Sequence, residues 1–253
     1  MLIDTHCHLD ALEFAPDRAG VVARARAAGV STIVVPGITE ATFAETVATA
    51  REYDCRLALG MHPIYLAEHQ ESHLALLRDW VEREKPVAIG EIGLDFFIPG
   101  LDAARQWELF IAQLKIARDF DLPVLLHIRR AQDQVLKALR QVGVTGGIAH
   151  AFNGSRQQAD AFIKLGFKLG FGGALTYSRA LNIRRLAAEL PLEAIVLETD
   201  APDMPPEWIS QERNEPAQLP RIATALAELR GMTLEQLAFA TGINAAAILN
   251  FHT

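Results

Sequence analysis

Short apolar runs alternate with longer amphipathic stretches along the whole chain. The runs are Met1-Leu-Ile-Asp4, Thr32-Ile-Val-Val35, Leu57-Ala-Leu-Gly60, Val87-Ala-Ile-Gly-Glu91, Val124-Leu-Leu-His127, Gly147-Ile-Ala-His150, Phe167-Lys-Leu-Gly170 and Ala194-Ile-Val-Leu-Glu-Thr199. Each has the length and near-continuous apolar character of a strand buried on both faces. Between them, apolar residues recur at helical spacing over 16–28, 40–53, 72–84, 103–120, 131–141 and 156–165, and in a helix ending near Pro191. Pro16 suits a first turn and Gly29 a stop, while Thr39, Asp102 and Ser155 are placed to cap. Two more helices, about 217–229 and 233–250, close the chain. Leu109, Leu114, Ile116, Leu226, Leu229 and Leu237 read as packing positions on these helices.

Alternating strand and helix implies a parallel sheet covered by helices. Eight such units predict a closed (β/α)8 TIM barrel with two extra C-terminal helices. A doubly wound open sheet would need a glycine-rich phosphate loop after its first strand, and none is there. Gly170-Phe-Gly172-Gly173 comes late and lacks that spacing; it fits either a close backbone approach near a site or a plain turn. The 253 residues show no break in composition, so a single domain over 1–253 is expected. Half the residues are apolar, yet no stretch approaches the roughly 18 needed to cross a membrane. No basic and apolar leader precedes Asp4, and Cys7 and Cys55 stand apart without a Cys-x-x-Cys pattern, so a reduced cytoplasmic setting is expected. The net charge of −7 argues against a broad duplex-binding face but leaves room for a small basic mouth. No protein partner is implied, and a monomer is the default.

The candidate chemistry lies where the strands end. His6 and His8 are two apart in an extended segment, so their imidazoles point the same way while Cys7 faces elsewhere. Glu91, His127, His150 and Asp200 end the fourth, fifth, sixth and eighth predicted strands. Any one of these is an ordinary polar strand end. In a barrel all six share the C-terminal rim, where barrel enzymes carry their chemistry. Four imidazoles and two carboxylates collected there need partners, and a metal ion is the simplest.

The motifs Asp4-Thr-His6-Cys-His8, Gly60-Met-His62-Pro63, Gly90-Glu91-Ile-Gly-Leu-Asp95, Pro123-Val-Leu-Leu-His127-Ile-Arg129, His150-Ala-Phe-Asn-Gly154, Glu198-Thr-Asp200-Ala-Pro202 and Arg213-Asn214-Glu215-Pro216 span most of the chain. Together they resemble the TatD-like family of metal-dependent hydrolases and deoxyribonucleases, within the amidohydrolase-like barrel superfamily. The resemblance implies two divalent metal ions, one held by His6, His8 and Asp200, the other by His127 and His150, with Glu91 bridging them. The chain has no lysine at a predicted strand end, which also favours Glu91 over a carboxylated lysine as the bridge. One departure is Arg130, where the family commonly has an acidic residue.

Imidazole with carboxylate suits zinc or manganese, and magnesium is the weaker fit. Asp200 is expected to accept the proton of an attacking water, from its position and the superfamily chemistry, so Asp200 and Glu91 are the candidate catalytic pair. Arg129, two residues after His127, has the fork that suits a phosphate, with a surface ion pair as the alternative. His62 is read as a substrate contact, and Arg213 and Asn214 as part of a loop over the mouth or of the next helix cap. Asp4 and Glu198 each precede a proposed ligand by two residues and should lie below it. At least one is expected to accept a ring N–H from a metal-holding imidazole, within about 4 Å, with a local hydrogen bond to barrel backbone or water as the alternative. The expected activity is phosphodiester hydrolysis, with trimming of DNA ends in the 3′ to 5′ direction as the candidate reaction. The alternatives are hydrolysis of another ester or amide, such as an aminoacyl ester, and metal binding without catalysis.

Overall fold

The computed structural model describes residues 1–251. Its strands are β1 (Leu2–Asp4), β2 (Val30–Pro36), β3 (Arg56–Leu59), β4 (Ala88–Asp95), β5 (Val124–Arg129), β6 (Gly147–Ala149), β7 (Phe167–Phe171) and β8 (Ile195–Leu197). They lie in chain order, every neighbouring pair parallel. The ring closes between the first and last strands: the Thr5 N–H donates to Leu197 O at 3.0 Å and the Asp200 N–H to His6 O at 2.8 Å. Closure therefore continues past the strands into the segments that carry His6, His8 and Asp200. The helices are α1 (Arg18–Ala27), α2 (Phe43–Glu52), α3 (Ser72–Glu84), α4 (Ala103–Asp119), α5 (Gln132–Val142), α6 (Arg156–Lys164), α7 (Leu181–Glu189), α8 (Leu219–Arg230) and α9 (Leu234–Ile248). No helix among the described residues is long and apolar enough to cross a membrane.

Local chemistry sets most of the element ends. Asp102 accepts the N–H groups of Ala104 and Arg105, satisfying two of the free donors at the start of α4. Ser155 and Gln158 form a reciprocal capping box on α6. Thr39 does not cap: residues 40–42 form a 3-10 turn, and its hydroxyl lies 3.1 Å from that of Thr42 instead.

The two C-terminal helices have different places. Helix α8 packs beside α7 as the eighth outer helix, so only α9 is additional to the barrel. Ile3, Val34, Ala58, Ala88, Leu125, Ile148 and Val196, one from each of seven strands, form an inward layer, and Ala245 and Leu249 of α9 pack on it. Helix α9 is thus the floor of the barrel, at the end away from the rim. Asn244 fastens it there, donating to Leu192 O and Ile195 O at 2.8 Å each.

Strand β4 is longer than its apolar run suggests, and this moves Glu91. The pairing with β5 continues through Ile92↔Leu126 to Asp95↔Arg129, so Glu91 is inside the strand and Asp95 ends it. The register slips by one residue between Ile89 and Ile92, a bulge of the kind that re-aims a side chain. Gly93, which looks like a strand breaker, is required here: any Cβ would run into the His127 carbonyl.

Candidate metal centre

Glu91 is the hub of the rim, its carboxylate only 2% exposed. Its two oxygens face different groups of donors. Oε2 lies 3.0 Å from His6 Nε2 and 3.3 Å from His8 Nε2, and Asp200 Oδ1 is 3.7 and 3.6 Å from the same two nitrogens. Oε1 lies 3.1 Å from His127 Nδ1, 3.2 Å from His62 Nε2 and 3.3 Å from His150 Nε2. The rings of His6 and His150 stack at 4.0 Å between centroids and join the two halves.

These spacings test whether the residues fit a metal. Donors about 2.1 Å from a tetrahedrally bound ion are about 3.4 Å from one another. The separations to Asp200 are too long for hydrogen bonds but have the length of such an edge, as do the others. In three donor sets the candidate atoms all lie within 4.8 Å of one another: His6 with His8 and Asp200, His62 with Glu91 and His127, and His6 with Glu91 and His150. The electrostatics agree. Burial pushes the Glu91 carboxyl up, but His62, His6, His150 and His127 outweigh it and hold the group well below the usual range. Burial pushes His150 down, yet Asp200, Glu198 and Glu91 outweigh it and bring it to about 10. Burial holds His6 and His62 down, while the carboxylates outweigh it and favour positive charge on His8, His127 and His150; divalent ions would supply that charge on displacing the protons. Mixed imidazole and carboxylate donors suit zinc or manganese.

His62 stands among these donors as well as lining the cavity above them. Its Nδ1 accepts the Ile64 N–H at 3.2 Å, leaving Nε2 turned to Glu91. Burial brings its pKa down to about 4, so the ring is a neutral donor.

Beneath the imidazoles the two supporting carboxylates, Asp4 and Glu198, divide their work. Asp4 does not touch a ligand ring; it accepts the backbone N–H groups of Thr199 at 2.9 Å and His6 at 3.3 Å, and the Thr199 hydroxyl at 2.6 Å. It therefore ties the first and last strands together, and burial raises its pKa to about 7. Glu198 Oε1 lies 3.4 Å from His150 Nδ1, but its hydrogen bond comes from the Ala151 N–H at 2.6 Å. Gly170 is needed beside it, because a Cβ there would collide with the Glu198 carboxylate; this decides the glycine run in favour of close approach.

The clear acceptor for a ring N–H is Asp95, which lies beyond the apolar run that marks its strand. With Nδ1 turned to Glu91, His127 donates from Nε2 to Asp95 Oδ2 at 3.0 Å. Gln106 of α4 clamps the Asp95 backbone at both N–H and carbonyl, at 2.8 and 2.9 Å. Burial opposes ionisation of Asp95, but the bonds from His127, Phe97 and Ile98 win and hold its pKa at about 2. Such a partner fixes the tautomer and aim of an imidazole. Asp95→Asn is expected to weaken metal affinity about 10- to 100-fold with little change in melting temperature, read by competition with a chromogenic chelator. Unchanged affinity would show that Asp95 only shapes its loop.

The centre opens into a cavity of about 740 Å³ lined by His8, His62, Tyr65, Phe97, Arg129, Arg130, Phe152, Asp203 and Met204 among others. Arg129 is there as expected. Arg213 and Asn214 are not. Arg213 donates to Glu13 O at 2.6 Å and to the Asp17 carboxylate at 2.8 and 2.9 Å. Asn214 is fully buried and holds Thr199 O and Asp203 O at 2.9 and 2.8 Å. Their motif braces the chain on either side of Asp200 from behind.

A parallel eight-stranded barrel with imidazoles and carboxylates converging on its C-terminal rim defines a metal-dependent hydrolase of the barrel class. The comparisons give the family. Residues 3–250 match the TatD-related DNase family, and the chain belongs to it. It is 42% identical over 252 residues to YjjV of Escherichia coli K12, described as an uncharacterized metal-dependent hydrolase, covering 98% of this chain and 97% of that one. The crystal structure of YjjV superposes with a TM-score of 0.95 at 41% identity, over 99% of this chain and 98% of the other. A relative in Erwinia amylovora, named 3′-5′ ssDNA/RNA exonuclease TatD, is 34% identical over 257 residues, covering 98% and 99%.

Proposed function

We propose that this chain hydrolyses phosphodiesters, including the ends of DNA strands, with two divalent ions shared by Glu91. His6, His8 and Asp200 would hold one ion, and His127 and His150, with His62 alongside, would hold the other. The observation that carries this reading is that the two Glu91 oxygens face separate donor sets. When bound, a metal pair polarises the phosphoryl group and makes water acidic enough to attack at neutral pH. Asp200, 14% exposed at the cavity wall, is the group that takes the proton from that water. Its N–H is fixed to His6 O, so the carboxylate keeps its place beside the reacting atoms. Arg129 at the mouth supplies positive charge for the substrate's anion. The name of the Erwinia relative supports nucleic acid as the substrate.

Hydrolysis of a different ester would use the same centre, so the test must compare substrates. Bound metal is measured first. The loaded protein is then assayed on bis(4-nitrophenyl) phosphate, on single-stranded DNA with free 3′ ends and on an aminoacyl ester. Chelator-sensitive cleavage of the first two is expected. Cleavage of the aminoacyl ester alone, or no turnover with metal bound, overturns the reading.

A further inference from the structure

Above the centre, the rim differs in charge from side to side. Glu13, Asp200 and Asp203, which follow β1 and β8, line the cavity, as do Arg129 and Arg130 at the end of β5, across the barrel from them. Arg129 follows His127 by two residues on β5, so it shares that face and stands about 7 Å further out. Arg130 would turn the opposite way if the strand continued. Its φ of 56° instead puts it in the left-handed region, which side chains other than glycine adopt only at a cost. The two guanidiniums consequently meet over one ring: their central carbons are 3.7 and 4.7 Å from the centroid of Phe97.

Phe97 is 44% exposed, yet its loop is firmly placed. Asp95 Oδ1 accepts the Phe97 and Ile98 N–H groups at 2.9 and 3.1 Å, while Oδ2 holds His127. One carboxylate thus sets both the aim of a metal-facing imidazole and the position of the aromatic plate. Many arginines of this chain are engaged in ion pairs; among the described residues Arg129 and Arg130 are in none. Stacking on Phe97 orients their planes and leaves their N–H forks free for an anion.

We propose that Phe97, Arg129 and Arg130 form a subsite for a second phosphate of the substrate, beyond the bond that is cut. The subsite selects chains of phosphodiesters over esters with a single phosphate. This rests on the phosphodiesterase reading and names its substrate class. The opposite, acidic wall fixes polarity by repelling the same anion.

The test uses two readouts on the metal-loaded protein and its Arg129→Gln, Arg130→Gln and Phe97→Ala variants, with melting temperatures as the check on folding. The first is fluorescence anisotropy of a labelled tetranucleotide with phosphorothioate links, which slow cleavage. Each arginine variant is expected to bind about tenfold more weakly. The slope of log affinity against log salt should fall by about 0.7 for each charge removed. Phe97→Ala should also weaken binding, although it removes no charge. The second readout is the ratio of kcat/KM for the unmodified tetranucleotide to that for bis(4-nitrophenyl) phosphate, expected to fall about tenfold in the arginine variants. Unchanged binding, or equal losses on both substrates, overturns the subsite. Inorganic pyrophosphate displacing the tetranucleotide at equal or lower concentration would assign the arginines to a small phosphorylated compound and overturn chain selection. If the wild type cleaves neither substrate, the phosphodiesterase reading fails, while the binding arm still decides the subsite.

Discussion

Glu91→Ala is expected to leave at most one ion per chain and to lower phosphodiester hydrolysis by about a thousandfold or more. The rate estimate follows from losing several kcal/mol of charge stabilisation at about 1.4 kcal/mol per factor of ten. The structural reason is that both donor groups are built on the same carboxylate. Without it, Asp200 is the one carboxylate within 4 Å of both His6 and His8, and His62, His127 and His150 have no carboxylate oxygen in common. Glu91→Gln separates charge from shape, because it keeps the volume at a fully buried position. Both variants are measured by metal analysis and by turnover of bis(4-nitrophenyl) phosphate. A Gln variant that retains two ions and the wild-type rate would show that the donor sets are independent sites and that Glu91 does not bridge.

What the sequence reveals about this site depends on how local each signal is. Alternating apolar runs place the strands, and residues 72–84 are helical just as their spacing predicts. The convergence of His6, His8, Glu91, His127, His150 and Asp200 follows once a parallel barrel is assumed, since strand ends share a rim. Other features depend on contacts that no local pattern reports. The fourth apolar run reads as ending at Glu91, although Gly93 lets the strand continue past His127, and stopping there hides Asp95. His62 follows β3 at a distance that suits either a cavity wall or the donor cluster, and only the placement of Glu91 shows that it serves in both places. Arg213 and Asn214 have the residue types of a substrate loop, but their partners, Asp17 and the carbonyls around Asp200, are distant in the chain. Phe97 and Arg130 meet because of a loop hung from Asp95 and a left-handed residue at the strand end. Helix α9 is apolar enough to pack anywhere on the barrel, and its role as floor emerges only with the inward layer it covers.

Asp200→Asn is expected to reduce turnover by about 10²- to 10⁴-fold, the range for loss of a general base, while the fold is unchanged. Two features make this substitution informative. Asp200 has a φ of 57°, in the left-handed region, where asparagine is among the best tolerated residues. An alanine there would add backbone strain to the loss of the carboxylate; asparagine does not. The side chain also keeps an oxygen that can face His6 and His8, whose nitrogens lie 3.7 and 3.6 Å from Asp200 Oδ1. A carboxylate has a second oxygen that can take a proton while Oδ1 faces the two imidazoles. The amide oxygen of asparagine binds protons far more weakly. Metal content and kcat are measured on the same preparation, then again with excess metal. Full occupancy with a large fall in kcat assigns the proton to Asp200. Full occupancy with wild-type kcat removes it from that role. A variant that loses an ion and regains its rate when the ion is restored would make Asp200 a ligand only, and the base would have to be sought among the other groups lining the cavity.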